Sequence, residues 1–172
     1  PLPGIDIAIK DDDGQDVAQG LSGEICIRGP NVTPGYYQQQ AENATAFTAD
    51  GYLRTGDVGV MDEQGYTRII DRKKDMILVS GFNVFPNEIE NTISLCPGVL
   101  ECAAIGVADE KQGEAIKVFI VRSNPALTEK DIKRFCHDNM TGYKCPKHIE
   151  FRDDLPKTNV GKVLRRQLRT TA

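Results

Sequence analysis

The sequence predicts an α+β protein built of two bodies, a β-rich one up to about Ile70 and a mixed one beyond it. Three observations carry this. In the first third, Gly, Pro, Asn and Asp separate short apolar runs, as turns separate the strands of an all-β segment. Further on, helix start signals alternate with runs rich in β-branched residues. Between the two lies Asp71-Arg-Lys-Lys-Asp75, five charges flanked by apolar sequence. Desolvating a charge without a partner is costly, so this run marks a surface or a polar cleft, and with it a junction. The expected division is 1–70, a junction at 71–75, and 76–172.

Taken in order, Ile5 to Ile9 alternates and ends in the acidic turn Asp11 to Gly14, and Gly23 to Gly29 alternates again before Pro30. Ala41 to Phe47 suits one or two helical turns. Val58 to Ile70 reads as a β-hairpin around Asp62 to Gly65. Beyond the charged run, Phe85-Pro86-Asn87 reads as a helix start with Asn as the cap, closed by Pro97-Gly98. Val99 to Val107 and Ala115 to Val121 read as adjacent strands joined by the polar turn Asp109 to Gly113. Thr128-Glu-Lys-Asp131 is a capping box opening a helix to about Met140. Lys147 to Arg152 reads as a last strand and Gly161 to Arg169 as a terminal helix.

Composition excludes several classes. With 40% apolar and 27% charged residues the chain is that of a globular protein and not a disordered one. Its apolar runs are far shorter than the roughly 20 residues that span a bilayer, and Pro1 to Gly4, without a basic start and an apolar core, raises no expectation of an export signal. A net charge of −4 argues against a general nucleic-acid surface, although Lys157, Lys162, Arg165, Arg166 and Arg169 make the end basic. The five cysteines have no CxxC spacing and read as free structural thiols of a reducing compartment; no metal site is expected from them.

Four segments carry chemistry, each with an ordinary alternative. Tyr52 to Asp57 ends a strand with an acid just past a glycine, suited either to a turn or to holding a sugar diol. Asp71 to Asp75 is a solvated linker or a functional junction. Ser80-Gly-Phe-Asn83 is a plain turn, or a loop whose glycine lets a ligand approach the backbone. Leu155 to Arg166 presents Lys162 after a glycine at an expected helix start, as an exposed lysine or as a point charge for an anionic transition state. The phosphate-cradling Gly-x-x-x-x-Gly-Lys-Ser/Thr spacing is absent there.

In this order the segments resemble the C-terminal portion of the acyl-adenylate-forming, or AMP-binding, enzymes, the superfamily of acyl-CoA synthetases, luciferases and nonribosomal adenylation domains. Gly23 to Gly29 with Gly35-Tyr36 is similar to the family's Gly-Glu-Leu strand motif. Tyr52 to Asp57 is similar to its Tyr-x-x-Thr-Gly-Asp motif, Asp71 to Asn83 to its hinge motif, and Pro156 to Arg165 to its Pro-Lys-Thr-x-x-Gly-Lys-x-x-Arg motif. Asp50 to Lys74 resembles the fatty acyl-CoA synthetase signature. Gly142 to Lys147 and Ser80 to Pro86 most resemble bacterial long-chain fatty acid CoA ligases.

The resemblance implies a β-subdomain of a larger barrel-bearing domain over 1–70, then a small α+β domain with a hairpin and a three-stranded sheet flanked by helices. It implies that Asp57 holds the ribose of ATP or acyl-AMP, that Arg72 supports the same nucleotide, and that Lys162 meets the reacting carboxylate and α-phosphate. Lys74 is the implied pivot between adenylation and thioester formation. Ser80, Gly81 and Phe82 would then line the pantetheine tunnel, and Lys144 would meet the CoA phosphates. ATP, CoA and a long-chain fatty acid are the implied partners, with magnesium held through the nucleotide and the remainder of the enzyme. A cytoplasmic location, peripheral membrane attachment and a homodimer of the parent enzyme are further expectations.

The family's Thr/Ser/Gly-rich phosphate loop, its Tyr-Gly-x-Thr-Glu segment and its acyl tunnel have no equivalent in these 172 residues. With Pro1 in mid-strand sequence, the expectation is a fragment of a ligase, inactive alone. The alternatives are a ligase for another acid class, or a free-standing nucleotide- or CoA-binding module.

Overall fold

In the computed structural model, residues 2–170 are described; Pro1, Thr171 and Ala172, at the outer edges of the two expected bodies, lie outside them. The chain forms two compact units, Pro1–Lys74 and Asp75–Ala172.

The first unit is a four-stranded antiparallel sheet in the order β1 (Asp6–Lys10), β2 (Gly23–Arg28), β3 (Leu53–Met61), β4 (Thr67–Arg72). Strands β3 and β4 are the expected hairpin, closed over Asp62 to Tyr66, where the Asp62 carboxylate accepts from the N–H of Gln64 and Tyr66. The short helix α1 (Gln40–Ala46) buries no residue. Register shifts fall between Glu24 and Cys26 on β2 and between Val58 and Gly59 on β3. Such irregularities redirect side chains next to them, and here they bracket Asp57. That residue lies inside β3 and not at a strand end as the sequence suggested, because pairing with β2 and β4 carries the strand through Thr55-Gly56.

The second unit is organised on β8. Strands β5 (Ile77–Val79) and β6 (Phe82–Val84) form a hairpin, which joins β8 (Gly113–Arg122) through the single pair Val79↔Gly113. Strand β7 (Val99–Asp109) pairs antiparallel with β8 along its whole length, and β9 (His148–Arg152) pairs parallel with it. A parallel neighbour needs a crossover, supplied by α3 (Glu129–Asn139), which opens with the reciprocal Thr128–Asp131 capping box. The hairpin and the three-stranded sheet are thus one five-stranded sheet.

Strand β8 is covered on both faces. Ile116, Val118 and Ile120 face a core shared with Ile89 and Ile93 of α2 (Pro86–Ile93) and Ile132 and Cys136 of α3. Phe119 and Val121 face a second core with Leu155 and Leu168, the latter from α4 (Arg165–Thr170). Double burial explains why six of the seven residues from Ala115 to Val121 are apolar without alternation, the exception being Lys117, which pairs with Glu150 at 2.9 Å.

Two expected helix starts shift. Helix α2 has Pro86 at its first position and Phe85 as an extended cap without a side-chain bond, so Asn87 lies inside the first turn. Proline at that position has no N–H to satisfy and a preset φ, which removes the need for an asparagine cap. The terminal helix begins at Arg165 and not at Gly161, because Pro156 to Leu164 closes on itself as a loop. Among the described residues no helix is long and apolar enough to cross a membrane.

Candidate functional site

In the first unit, Asp57 and Arg72 are cross-strand partners on β3 and β4, and Arg72 Nε lies 2.8 Å from Asp57 Oδ1. Asp57 remains partly open to solvent. Its backbone is held from behind: the Asp57 N–H donates to Thr55 Oγ1, and Thr55 in turn donates to the carbonyl of Ile25 at 2.7 Å. The arrangement offers a carboxylate with a free edge beside a guanidinium, which suits a diol next to a phosphate.

Behind this pair is Glu24, 5% exposed, to which sequence reasoning assigned no role. It accepts from the Gly56 N–H at 3.0 Å, from Arg54 at 2.9 Å and from Lys73 at 3.0 Å. Burial alone pushes its carboxyl up, but the bonds from Lys73 and Arg54 outweigh it and hold the group below the ordinary glutamate value. Lys73 also reaches Asp12 at 2.7 Å, whose carboxyl that hydrogen bond holds low. The signal was present in Gly23-Glu24-Ile25-Cys26, an acid set among residues of a buried strand.

Of the five charges at 71–75, two are buried and none of those is bare. Asp71 accepts from the Arg72 N–H, and Asp75, in the 3-10 turn Lys73–Asp75, meets Arg169 at 2.9 Å and Arg165 at 3.7 Å. Lys74 is exposed and makes no side-chain hydrogen bond or ion pair among the described residues.

In the second unit the Ser80-Gly81 turn joins β5 to β6, with φ of 50° and 85° at the two central positions. Positive φ at both is the signature of a tight hairpin turn matched to strand twist, and Gly81 adopts it without strain. The following residue, Phe82, is half exposed and stacks on Tyr143, ring centroids 4.7 Å apart. Tyr143 belongs to the 3-10 turn Gly142–Lys144, so the fold brings Lys144 beside the Ser80–Phe82 turn, as the sequence could not show. Lys144 is already engaged, its ammonium paired with Glu88 of α2.

Lys162 lies elsewhere in this unit, near the tip of the loop from Pro156 to Leu164. Thr158 N–H donates to the Lys162 carbonyl at 2.7 Å, Lys162 N–H returns to Thr158 Oγ1 at 3.1 Å, and Gly161 takes a φ of 81° at the turn. This fixes the backbone under Lys162 while its side chain stays exposed and, among the described residues, without an ion pair. Its basic neighbours differ. Lys157 pairs with Glu101 and Asp154. Arg165 donates to both Glu90 oxygens at 2.9 and 2.8 Å and to Asn87 at 2.8 Å. Asn87, expected as a cap, therefore anchors the loop's far end.

Among the described residues no three of His, Cys, Asp and Glu come together to hold a metal ion. These residues do not fit a magnesium site of their own. The cysteines are free, and burial pushes the Cys102 and Cys136 thiols up to about 12, which keeps them protonated and unreactive.

Comparison with known proteins bears on the family and the fold. Residues 88–162 match the AMP-binding enzyme C-terminal domain and residues 1–37 the AMP-binding enzyme family. The chain is 53% identical over all its 172 residues to a long-chain-fatty-acid–CoA ligase of Escherichia coli O157:H7, and 54% identical over 98% of its length to one of Yersinia pestis. It spans 30% of the length of each. The crystal structure of ATP-bound MatB from Rhodopseudomonas palustris superimposes with a TM-score of 0.92 at 37% identity, covering 99% of this chain and 34% of that one.

Proposed function

We propose, from the premise that this chain belongs to the AMP-binding enzyme family, that it is the part of an ATP-dependent, AMP-forming fatty acyl-CoA ligase that carries the adenylation lysine and a surface turned to coenzyme A. The overall reaction converts fatty acid, ATP and CoA to acyl-CoA, AMP and diphosphate. In its first half a carboxylate oxygen attacks the α-phosphorus and diphosphate leaves. In its second half the CoA sulfur attacks the acyl carbon, AMP leaves, and the thiol proton passes to solvent.

Asp57 takes the ribose hydroxyls and Arg72 orients both that carboxylate and the nucleotide. Lys162 neutralises charge as the carboxylate and the α-phosphate, both anions, are brought together. Lys74 is the pivot between the two half-reactions. Ser80, Gly81 and Phe82 flank the pantetheine arm, and Lys144 turns from Glu88 to a CoA phosphate. Long-chain fatty acids are the acid class to which the similar ligases point.

The observation that carries this reading is the contrast along the loop and its exit into α4: Lys157 and Arg165 are tied to carboxylates, and Lys162 between them is exposed and, among the described residues, without an ion pair on a fixed backbone. Water alone can satisfy an exposed lysine, so what sets Lys162 apart is the turn beneath it, fixed by the Thr158 and Lys162 hydrogen bonds, which holds an available cation in one place. In the whole ligase, Lys162→Ala should lower adenylation, followed by pyrophosphate exchange, by about a hundredfold or more. Thioester formation from supplied acyl-AMP should persist. Equal loss of both half-reactions would remove Lys162 from the first.

A further inference from the structure

The junction is tied down on both sides of one residue. Before Lys74, Arg72 is bound to Asp57 at 2.8 Å, and Lys73 is bound to buried Glu24 at 3.0 Å and to Asp12 at 2.7 Å. After it, Asp75 is buried and bound to Arg169 at 2.9 Å and to Arg165 at 3.7 Å, and Arg165 is itself fixed by Glu90 and Asn87. Each set of bonds lies within its own unit, and among the described residues the Lys74 side chain has none.

We propose that Glu24 and the Arg165–Arg169 pair are positioning residues, two ionic clamps that fix the ends of the junction so that its change of course is confined to the backbone of Lys74. This rests on the reading of Lys74 as the pivot. Glu24 has a second consequence. By accepting from the Gly56 N–H as well as from Lys73, one carboxylate holds the backbone next to the ribose-binding Asp57 and the residue before the pivot in a single arrangement. A clamp of this kind would keep Asp57 aligned while Lys74 turns. Neither role needs contact with substrate, which is why Glu24 and Arg165 are assigned as positioning and not as catalytic residues.

Native-state proteolysis of the 172-residue chain tests the clamps directly. Trypsin cleaves after Arg72, Lys73 and Lys74 only when that stretch opens locally, and the rate follows the population of the open form. Glu24→Gln, which keeps the shape and removes the charge, should raise cleavage at 72–74 by about tenfold relative to cleavage after Lys130 and Lys133 in α3, a tenfold change in an opening equilibrium. A uniform rise at all sites would mean general destabilisation and would overturn the proposal, as would an unchanged rate. Asp12→Asn, which removes only the exposed member of the cluster, should give a smaller rise at the same three bonds. Should Glu24→Gln fail to fold, this variant decides in the same terms. Separately, Lys74→Pro in the whole ligase should spare adenylation and impair the thioester step, since proline fixes φ. A normal thioester step there would fall on the pivot reading, and selective cleavage in the chain would still report on the clamps.

Discussion

The two units are held together by different means. In the first, the buried set of Ile9, Ile25, Cys26 and Val58 is small, and Lys10, Glu24 and Asp71 are buried with it. Lys10, 2% exposed, is fixed by Asp16 at 2.7 Å and Asp50 at 2.9 Å, with the Tyr52 ring 4.8 Å away. In the second, the buried side chains form two apolar clusters on opposite faces of β8, and Asp75 is the buried charge. An apolar core is non-directional and tolerant of condition, whereas buried ion pairs hold a definite geometry that depends on ionisation. The unit that presents Asp57 is therefore fixed by charge, and the unit that presents Lys162 is fixed by packing.

The largest effect should come from cutting into that packing. Phe119 is fully buried on β8, with Lys117 and Arg152 against its ring. Phe119→Ala should cost about 3–5 kcal/mol through lost burial and the cavity left behind. Urea unfolding followed by amide exchange of β7 and β8 would show it. A loss below about 1 kcal/mol would mean that the apolar clusters are not what holds the second unit.

Next in size is Glu24→Gln, which attacks the charge-held unit. Removing one partner of a fully buried pair costs about 3–5 kcal/mol. Here Arg54 and Lys73 keep some access to water, so about 2 kcal/mol is expected at neutral pH. The pH dependence is diagnostic. The Glu24 carboxyl lies below its ordinary value in the fold, so its contribution is complete above the ordinary glutamate range and is lost as pH falls through the folded value. Stability curves of the parent and the variant should converge on the acid side; curves that stay parallel there would show that the ionised carboxylate is not the stabilising species.

The same contrast decides what could be read beforehand. Strand β8 was legible because double burial writes an apolar run interrupted at Lys117 alone between Ala115 and Val121, and α3 because its cap lies within four residues, Thr128 to Asp131. Lys162, Asp57 and the turn at Ser80-Gly81 stood out through local motifs. The pairings that organise the candidate site did not, because they join positions far apart: Lys73 with Glu24 across 49 positions, Arg165 with Glu90 across 75, Arg169 with Asp75 across 94. A charge in sequence announces only that it needs a partner or water. Which it finds is settled by tertiary packing, and so Asn87, a cap by its place in the sequence, instead offers its amide oxygen to Arg165.

The smallest expected effect tests whether polar groups matter as much in the packed unit. The Thr128 hydroxyl accepts from the Asp131 N–H at 3.3 Å, and the Asp131 carboxylate accepts in return from the Thr128 N–H at 3.1 Å. Hydrogen bonding from the Thr128 hydroxyl, then from its N–H, holds the Asp131 carboxyl below its ordinary value. Thr128→Ala removes the cap of α3 and should cost about 1 kcal/mol, the usual worth of such a residue. In the same variant the Asp131 titration, followed by NMR, should move up toward the ordinary aspartate value, since the hydroxyl that donates to its carboxylate is gone. Ile132 and Cys136 remain packed in the core and should keep the helix in place. If Thr128→Ala instead unfolds the second unit as completely as Phe119→Ala, then the helix is held by its cap and not by its apolar face, and the division between a charge-held and a packing-held unit fails at α3.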